Sequence, residues 1–304
     1  MINFELDGTA AIAMEARLNE PLTEDARNLR ALSSEGGPIL EFGGENPFVS
    51  YVASNALLSL QNPRTESAGE PSFLITSQVM ELQFKLASIE VARTRDLLDV
   101  DDVGAALWTL RRLRHVYSSL SSSWDVLSTL SPAEYGEFRD QLGEGSGFQS
   151  YMYREMEFVL GNKNPALAEA HSGDAQVYRR LQQRLSEPSL YDAALRLLWR
   201  RGLPVPDDCV ERDWSVPYLE QEAVVEAWRT VYVERDKHRD LYLLAEALVD
   251  LAHDIARWRS LHLLTAERLL GAKVGTGGTT GADWLRRVAD HRFFPELWMT
   301  RTRL

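Results

Sequence analysis

Three places in this chain combine residue type and spacing in ways that could do chemistry. The first is His262. Residues 235–271 contain no Pro and no interior Gly, and Leu241, Leu244, Leu248, Leu251, Ile255 and Trp258 recur in steps of three and four. That spacing is one face of a long amphipathic helix. The next step lands on His262, and Thr265 and Leu269 continue the row. An imidazole at a core position is either a buried histidine bonded to a backbone carbonyl or a ligand for a metal such as haem iron. The second place is Arg154, on one helical face with Tyr151 and Phe158. A guanidinium among aromatics is either half of a buried ion pair, with Glu157 or Glu81 as its partner, or an anchor for a ligand carboxylate. The third is Gly275-Thr276-Gly277-Gly278-Thr279-Thr280-Gly281. It lacks the Gly-Lys-Ser/Thr ending of a phosphate loop, and no strand precedes it as a dinucleotide loop requires.

The elements that must position these residues read as helices throughout. No segment sustains a period of two between turn signals, so the chain is predicted to be all-α. Residues 1–44, broken by Gly36-Gly37-Pro38 and Gly43-Gly44, form an arm of helix and loop that could pack on another subunit; the main domain is 45–304. Asn46 and Pro47 start a helix over 46–61. A second helix covers 71–98 with apolar rows on both sides, Phe73, Met80, Phe84, Ala87 and Val91 on one and Ile75, Leu82, Leu86 and Ile89 on the other, so it is expected to be buried nearly all round. Ser77 interrupts the first row. It either bonds back to the carbonyl four residues earlier or leaves space for a ligand. A third helix starts at Asp101 or Asp102. Ser131-Pro132-Ala133-Glu134 is a capping box. Further helices are expected over 148–160, 175–185, 190–201, 218–234 and 281–291.

Bulk composition narrows the function. The chain has 304 residues with a net charge of −12, which argues against nucleic acid or an anionic membrane as a main partner. One cysteine, Cys209, leaves no intramolecular disulfide and no Cys-rich metal site, and fits a cytoplasmic setting. No signal peptide is evident in 1–20, and nowhere do roughly 18 apolar residues run together to span a membrane.

Several segments together carry a resemblance. They are Phe73-Leu74-Ile75-Thr76-Ser77-Gln78, Ser146-Gly147-Phe148-Gln149-Ser150 with Arg154, Gly161-Asn162-Lys163-Asn164, Glu211-Arg212-Asp213-Trp214, Trp258-Arg259 with His262, Gly275-Thr276-Gly277-Gly278-Thr279 and Phe294-Pro295-Glu296-Leu297-Trp298. From about residue 45 onward, their order and spacing resemble the tryptophan 2,3-dioxygenase family of histidine-ligated haem oxygenases. The resemblance implies a helical bundle enclosing haem b, with His262 as the proximal iron ligand. It implies that Arg154 pairs with the substrate carboxylate, that Thr276, beside Gly277, lies near its ammonium group, and that Phe73 walls the indole pocket. Tyr151 neighbours Arg154 in that pocket. Phe48 and Tyr51 match two tyrosines that reach a neighbouring subunit's site in a homotetramer; the first is Phe here.

Two positions depart from the family pattern. Ser77 stands where the dioxygenase has a distal histidine, and Gln83 stands where the same helix usually carries Trp. Ser77 and Thr276 are therefore the candidate catalytic residues, in a pocket roomier than the family's. The expected activity is O2-dependent oxidation of the indole C2–C3 bond of tryptophan or a substituted tryptophan, such as a methylated one. Retaining one oxygen atom gives an oxindole-type product, the reading favoured by both departures. Retaining two gives N-formylkynurenine. A non-catalytic haem or indole sensor is the third reading.

Overall fold

The computed structural model describes residues 21–42, 45–278 and 281–304. Among them there is helix and loop and no strand, as the all-α reading requires. The chain divides into two compact units, Met1–Asn62 and Pro63–Leu304. Residues 1–20 of the arm and the Gly43-Gly44 break lie outside the described residues.

The first unit holds helix α1 (Glu24–Ser33), capped by the Thr23 hydroxyl, then α2 (Pro47–Val52) and α3 (Ser54–Leu57). Asn46 caps α2 as expected, its side chain accepting from the Phe48 and Val49 amides. The single helix expected over 46–61 is instead broken at Ala53. That residue takes a left-handed conformation, φ 53°, which ends one helix and starts the next.

In the second unit, three long helices form the frame: α4 (Glu70–Asp99), α5 (Val103–Leu127) and α12 (Arg239–Leu270). Helices α4 and α5 make an antiparallel hairpin. Asp101, at φ 63°, reverses the chain, and the Asp102 side chain caps α5 by accepting from the Ala105 amide. Thr94 and Thr109 share a buried hydroxyl contact of 2.6 Å, Glu90 pairs with Arg112, and Gln83 donates to Ser119. These cross-links fix the register and place the Ser77 turn opposite that of Trp124. Helix α12 lies along α5, with Leu241, Leu244, Leu248, Leu251, Ile255 and Trp258 all buried, the row read from the sequence.

Shorter helices close the sides. Helix α6 (Pro132–Arg139) opens with the expected capping box between Ser131 and Glu134. The helix expected over 148–160 is a single 3-10 turn at 147–149 followed by α7 (Tyr151–Leu160), because Ser150 is extended and caps α7 itself. Then follow α8 (Ala175–Ser186), capped by Asp174, α9 (Leu190–Arg200) and the short α10 (Asp207–Val210). Helix α11 runs over Glu222–Val233, later than expected, because residues 218–221 stay extended to reach Glu296. The chain finishes with α13 (Ala282–Asp290) and α14 (Pro295–Arg301).

Helix α4 is not buried all round. Met80, Phe84, Ala87 and Val91 are in the core, but Ile75, Val79, Leu82, Leu86 and Ile89 are 40–54 % exposed. Helices α5, α7 and α9 pack on it, and among the described residues the second apolar row is left exposed.

Candidate functional site

His262 sits on the last turns of α12, half-buried, with its ring stacked on Trp124 at 4.4 Å and 12° and tilted against Trp258 at 5.9 Å. It makes ring contacts and no hydrogen bond. Burial pushes its pKa down to about 4, so the imidazole is neutral and its nitrogen lone pair is unspent. Both flanking indoles, Trp124 and Trp258, have buried Nε1 atoms without a hydrogen-bond partner. Among the described residues no group of three or more His, Cys, Asp or Glu side chains could hold a bare metal ion. A lone neutral imidazole suits a metal whose other ligands come from a macrocycle, and orphaned indole N–H groups suit a ligand that brings its own acceptors. The donor set therefore fits haem, with His262 as the residue that would hold it.

Ser77, in the α4 turn facing Trp124, donates its hydroxyl to the Phe73 carbonyl at 2.7 Å. That commits the proton and leaves the oxygen lone pairs as acceptors. Phe73 itself is half-buried, tilted against Tyr135 and Phe138 at 5.9 and 5.5 Å. Gln83, one and a half turns along, has a buried carbonyl oxygen without a partner.

Arg154 is 5 % exposed at the centre of α7. Its flanking aromatics are Phe148 and Tyr153, with ring centroids 5.0 and 5.1 Å from the guanidinium carbon. They are not Tyr151 and Phe158, as the helical face suggested. Tyr151 lies in the first turn of α7, 37 % exposed, edge-on to His171. Phe158 belongs to a separate apolar cluster with Ala168, Leu181 and Leu185. Arg154 pairs with Glu157, the partner named from the sequence, which is 1 % exposed. The same carboxylate accepts from Arg259 at 2.6 Å, and the two guanidinium groups hold its pKa down against the cost of burial. Arg259 also donates to the Tyr153 hydroxyl at 3.0 Å. Tyr153 is neutral, its pKa pushed up to about 12, and His291 beside Arg259 is neutral, its pKa pushed down to about 4. Two guanidinium groups thus face one carboxylate, and one positive charge is uncompensated. Arg154 Nε has no partner, and its Nη2 reaches the Phe148 carbonyl only at 3.4 Å. The cluster has the charge and the free donors to take a further carboxylate.

The glycine-rich segment is docked on the Gly145–Ser146 turn. Thr276 donates its hydroxyl to the Gly145 carbonyl at 2.6 Å, and Arg139 holds the Val274 carbonyl. Gly277 lies so close to Ser146 that an added Cβ would stand 2.7 Å from the Ser146 Cβ. Thr279 and Thr280 lie outside the described residues. Phe48 and Tyr51 are in the first unit, on α2, 69 % and 82 % exposed.

A family model described as tryptophan 2,3-dioxygenase matches residues 34–230 and 229–304. A tryptophan 2,3-dioxygenase of Shewanella woodyi is 40 % identical over 264 residues, 87 % of this chain and 92 % of its own length. Those of a Polaromonas species and of Bradyrhizobium diazoefficiens are 43 % and 42 % identical, over 87 % and 89 % of this chain and 90 % and 96 % of their own lengths. The chain belongs to the tryptophan 2,3-dioxygenase family. The tryptophan 2,3-dioxygenase family is haem-dependent, so haem b with its iron is the expected cofactor, in agreement with the unspent imidazole of His262.

Arg259 enters the sequence reading only as part of the Trp258-Arg259 segment, and Tyr153, Trp124 and His291 carry no functional reading there. Arg259 had a signal: it falls four residues after Ile255, on the buried side of α12, where a charged residue must be paired. Trp124 and His291 had none, because their roles depend on which helices lie side by side.

Proposed function

We propose that this protein is a haem-dependent tryptophan oxygenase that cleaves the indole C2–C3 bond with O2 and retains both oxygen atoms, giving N-formylkynurenine. The names of the relatives favour this outcome over the oxindole-type product. The observation that carries the reading is the Arg154 cluster, which has one positive charge and unused donors in the same helical unit as a neutral, unpartnered His262. The haem, when bound, supplies the oxygen chemistry; the protein supplies orientation and a dry site.

The chain's own residues then have these roles. Arg154 pairs with the carboxylate of the amino acid. Thr276 and Gly277 close over its ammonium end. Phe73 lies against the indole plane, with Tyr151 at the rim. Ser77 donates its hydroxyl to the Phe73 carbonyl, so its oxygen lone pairs can accept the indole N–H. That is a weaker acceptor than an imidazole, and it is the observation favouring mono-oxygenation, with a substituted tryptophan in the freed volume. Product mass from an assay in isotopic O2 decides: two labelled atoms in a ring-opened product support dioxygenation, and one atom in an intact ring overturns it.

The exposed row Ile75, Val79, Leu82, Leu86 and Ile89 on α4 advances by four and three residues, the spacing of a helix–helix seam. It supports a homo-oligomer, which we take to be a homotetramer in which Phe48 and Tyr51 of one subunit complete a neighbour's site. Among the described residues no helix is long and apolar enough to cross a membrane. The buried free thiol of Cys209 supports a reducing, cytoplasmic setting.

A further inference from the structure

The buried contacts around Arg154 form a closed circuit. From Arg154 the path runs to Glu157, and from the second oxygen of Glu157 to Arg259 at 2.6 Å. Arg259 Nη1 then reaches the carbonyls of Val288 at 3.2 Å and His291 at 3.3 Å, and His291 Nδ1 at 3.2 Å. Those atoms end α13, the helix that follows the glycine-rich segment. At its start α13 carries Trp284, whose ring meets Phe148 edge-on at 5.8 Å. Phe148 stacks back on Arg154 at 5.0 Å. Every charged member is buried: Arg154 5 %, Glu157 1 % and Arg259 2 % exposed.

We propose that Arg259 and Glu157 are positioning residues that couple occupancy of Arg154 to the seating of α13. The inference rests on the reading of Arg154 as the carboxylate anchor. A carboxylate arriving at Arg154 competes with Glu157 for its donors. Glu157 then leans more heavily on Arg259, its remaining cationic partner. Arg259 sits at the hub, with its Nε on Tyr153, one Nη on Glu157 and the other on the end of α13. A change in the Glu157 bond therefore changes how firmly α13 is held. Lysine cannot replace this hub, because its single ammonium does not present a planar fork to three directions. Arg259 is also one turn before His262, so the coupling runs beside the haem ligand without using it.

The test uses the haem-loaded protein and two probes that differ in the carboxylate, L-tryptophan and tryptamine. Binding is read from the haem absorption band, and the seating of α13 from amide hydrogen exchange over residues 282–291. In the parent, L-tryptophan should protect this segment and tryptamine should not. In Arg259→Lys the haem band and tryptamine affinity should stay within twofold of the parent. L-tryptophan should bind at least tenfold more weakly, and its protection of 282–291 should disappear. Glu157→Gln, which keeps the side-chain volume, carries the same expectation and decides the matter if Arg259→Lys does not fold. If either folded variant still shows parental L-tryptophan affinity and protection, the coupling is overturned. If the parent itself gives no response to L-tryptophan, the Arg154 reading fails, which is a different result.

Discussion

His262 and Arg154 do separable work, and their removal should show it. The ring contacts of His262 among the described residues are with Trp124 and Trp258, and it donates no hydrogen bond to them. His262→Ala should therefore abolish the Soret band of purified protein while leaving far-ultraviolet helicity nearly unchanged. Arg154→Ala leaves Glu157 still neutralised by Arg259. That variant should keep its haem and lose tryptophan binding by about 2–4 kcal/mol, the cost of an unpaired buried charge. Loss of haem with retained tryptophan affinity in the Arg154 variant would reverse the two assignments. His262 was legible in the sequence because a polar residue stood at a core step of a clean apolar row. The surroundings of Arg154 were only half legible: Glu157, three residues away, could be named, whereas Arg259, 105 residues away, depends on α12 coming within side-chain reach of α7.

At the scale of elements, caps and long rows were readable and breaks were not. Asn46, Asp102 and Ser131 all cap helices, because their side chains satisfy amides a few residues on. The break at Ala53 carries no Gly or Pro to announce it. The glycine-rich segment now has a steric reason at one position. Gly277→Ala would drive a methyl into Ser146, so the segment must lift from Gly145. Tryptophan affinity should fall by about tenfold, ~1.4 kcal/mol, with the haem spectrum unchanged; unaltered affinity would show that this docking is not the closed state. A second element-level expectation concerns Lys163. It is 1 % exposed and ties the end of α7 to the carbonyls of Arg184 and Glu187 at the end of α8. Burial pushes its pKa down to about 8. An unfolded lysine titrates near 10.4. Between about 8 and 10.4 the unfolded chain therefore binds a proton that the folded chain has lost, and stability rises with pH. Denaturant unfolding of the parent and of Lys163→Met at pH 8 and pH 10 should show their difference moving in the parent's favour by roughly 1–2 kcal/mol. A constant difference would mean that the amine titrates normally.

For the whole molecule, the apolar rows on α4 show where reading one chain stops. Both rows are apolar in sequence, but only one is covered by the described residues. Spacing reveals that a face will be buried, not whether its cover is intramolecular. Replacing Leu82 and Leu86 with Glu should shift the protein to smaller species by light scattering, at a cost of about 2 kcal/mol or more per leucine in assembly. An unchanged mass would place the subunit contacts elsewhere.

Glu296, wholly buried, accepts from the Tyr191 and Tyr218 hydroxyls and the Gln221 amide. Its partner Tyr191 is 105 residues earlier, so at roughly 5–20 residues per second a ribosome makes that tyrosine some 5–20 seconds before its acceptor exists. Until α14 is translated, the nascent bundle carries dangling phenols where a finished one has bonds. Chains stopped short of Pro295 should therefore be captured by chaperones or cleared by proteases, whereas an extension after Leu304, which is 63 % exposed, should be tolerated.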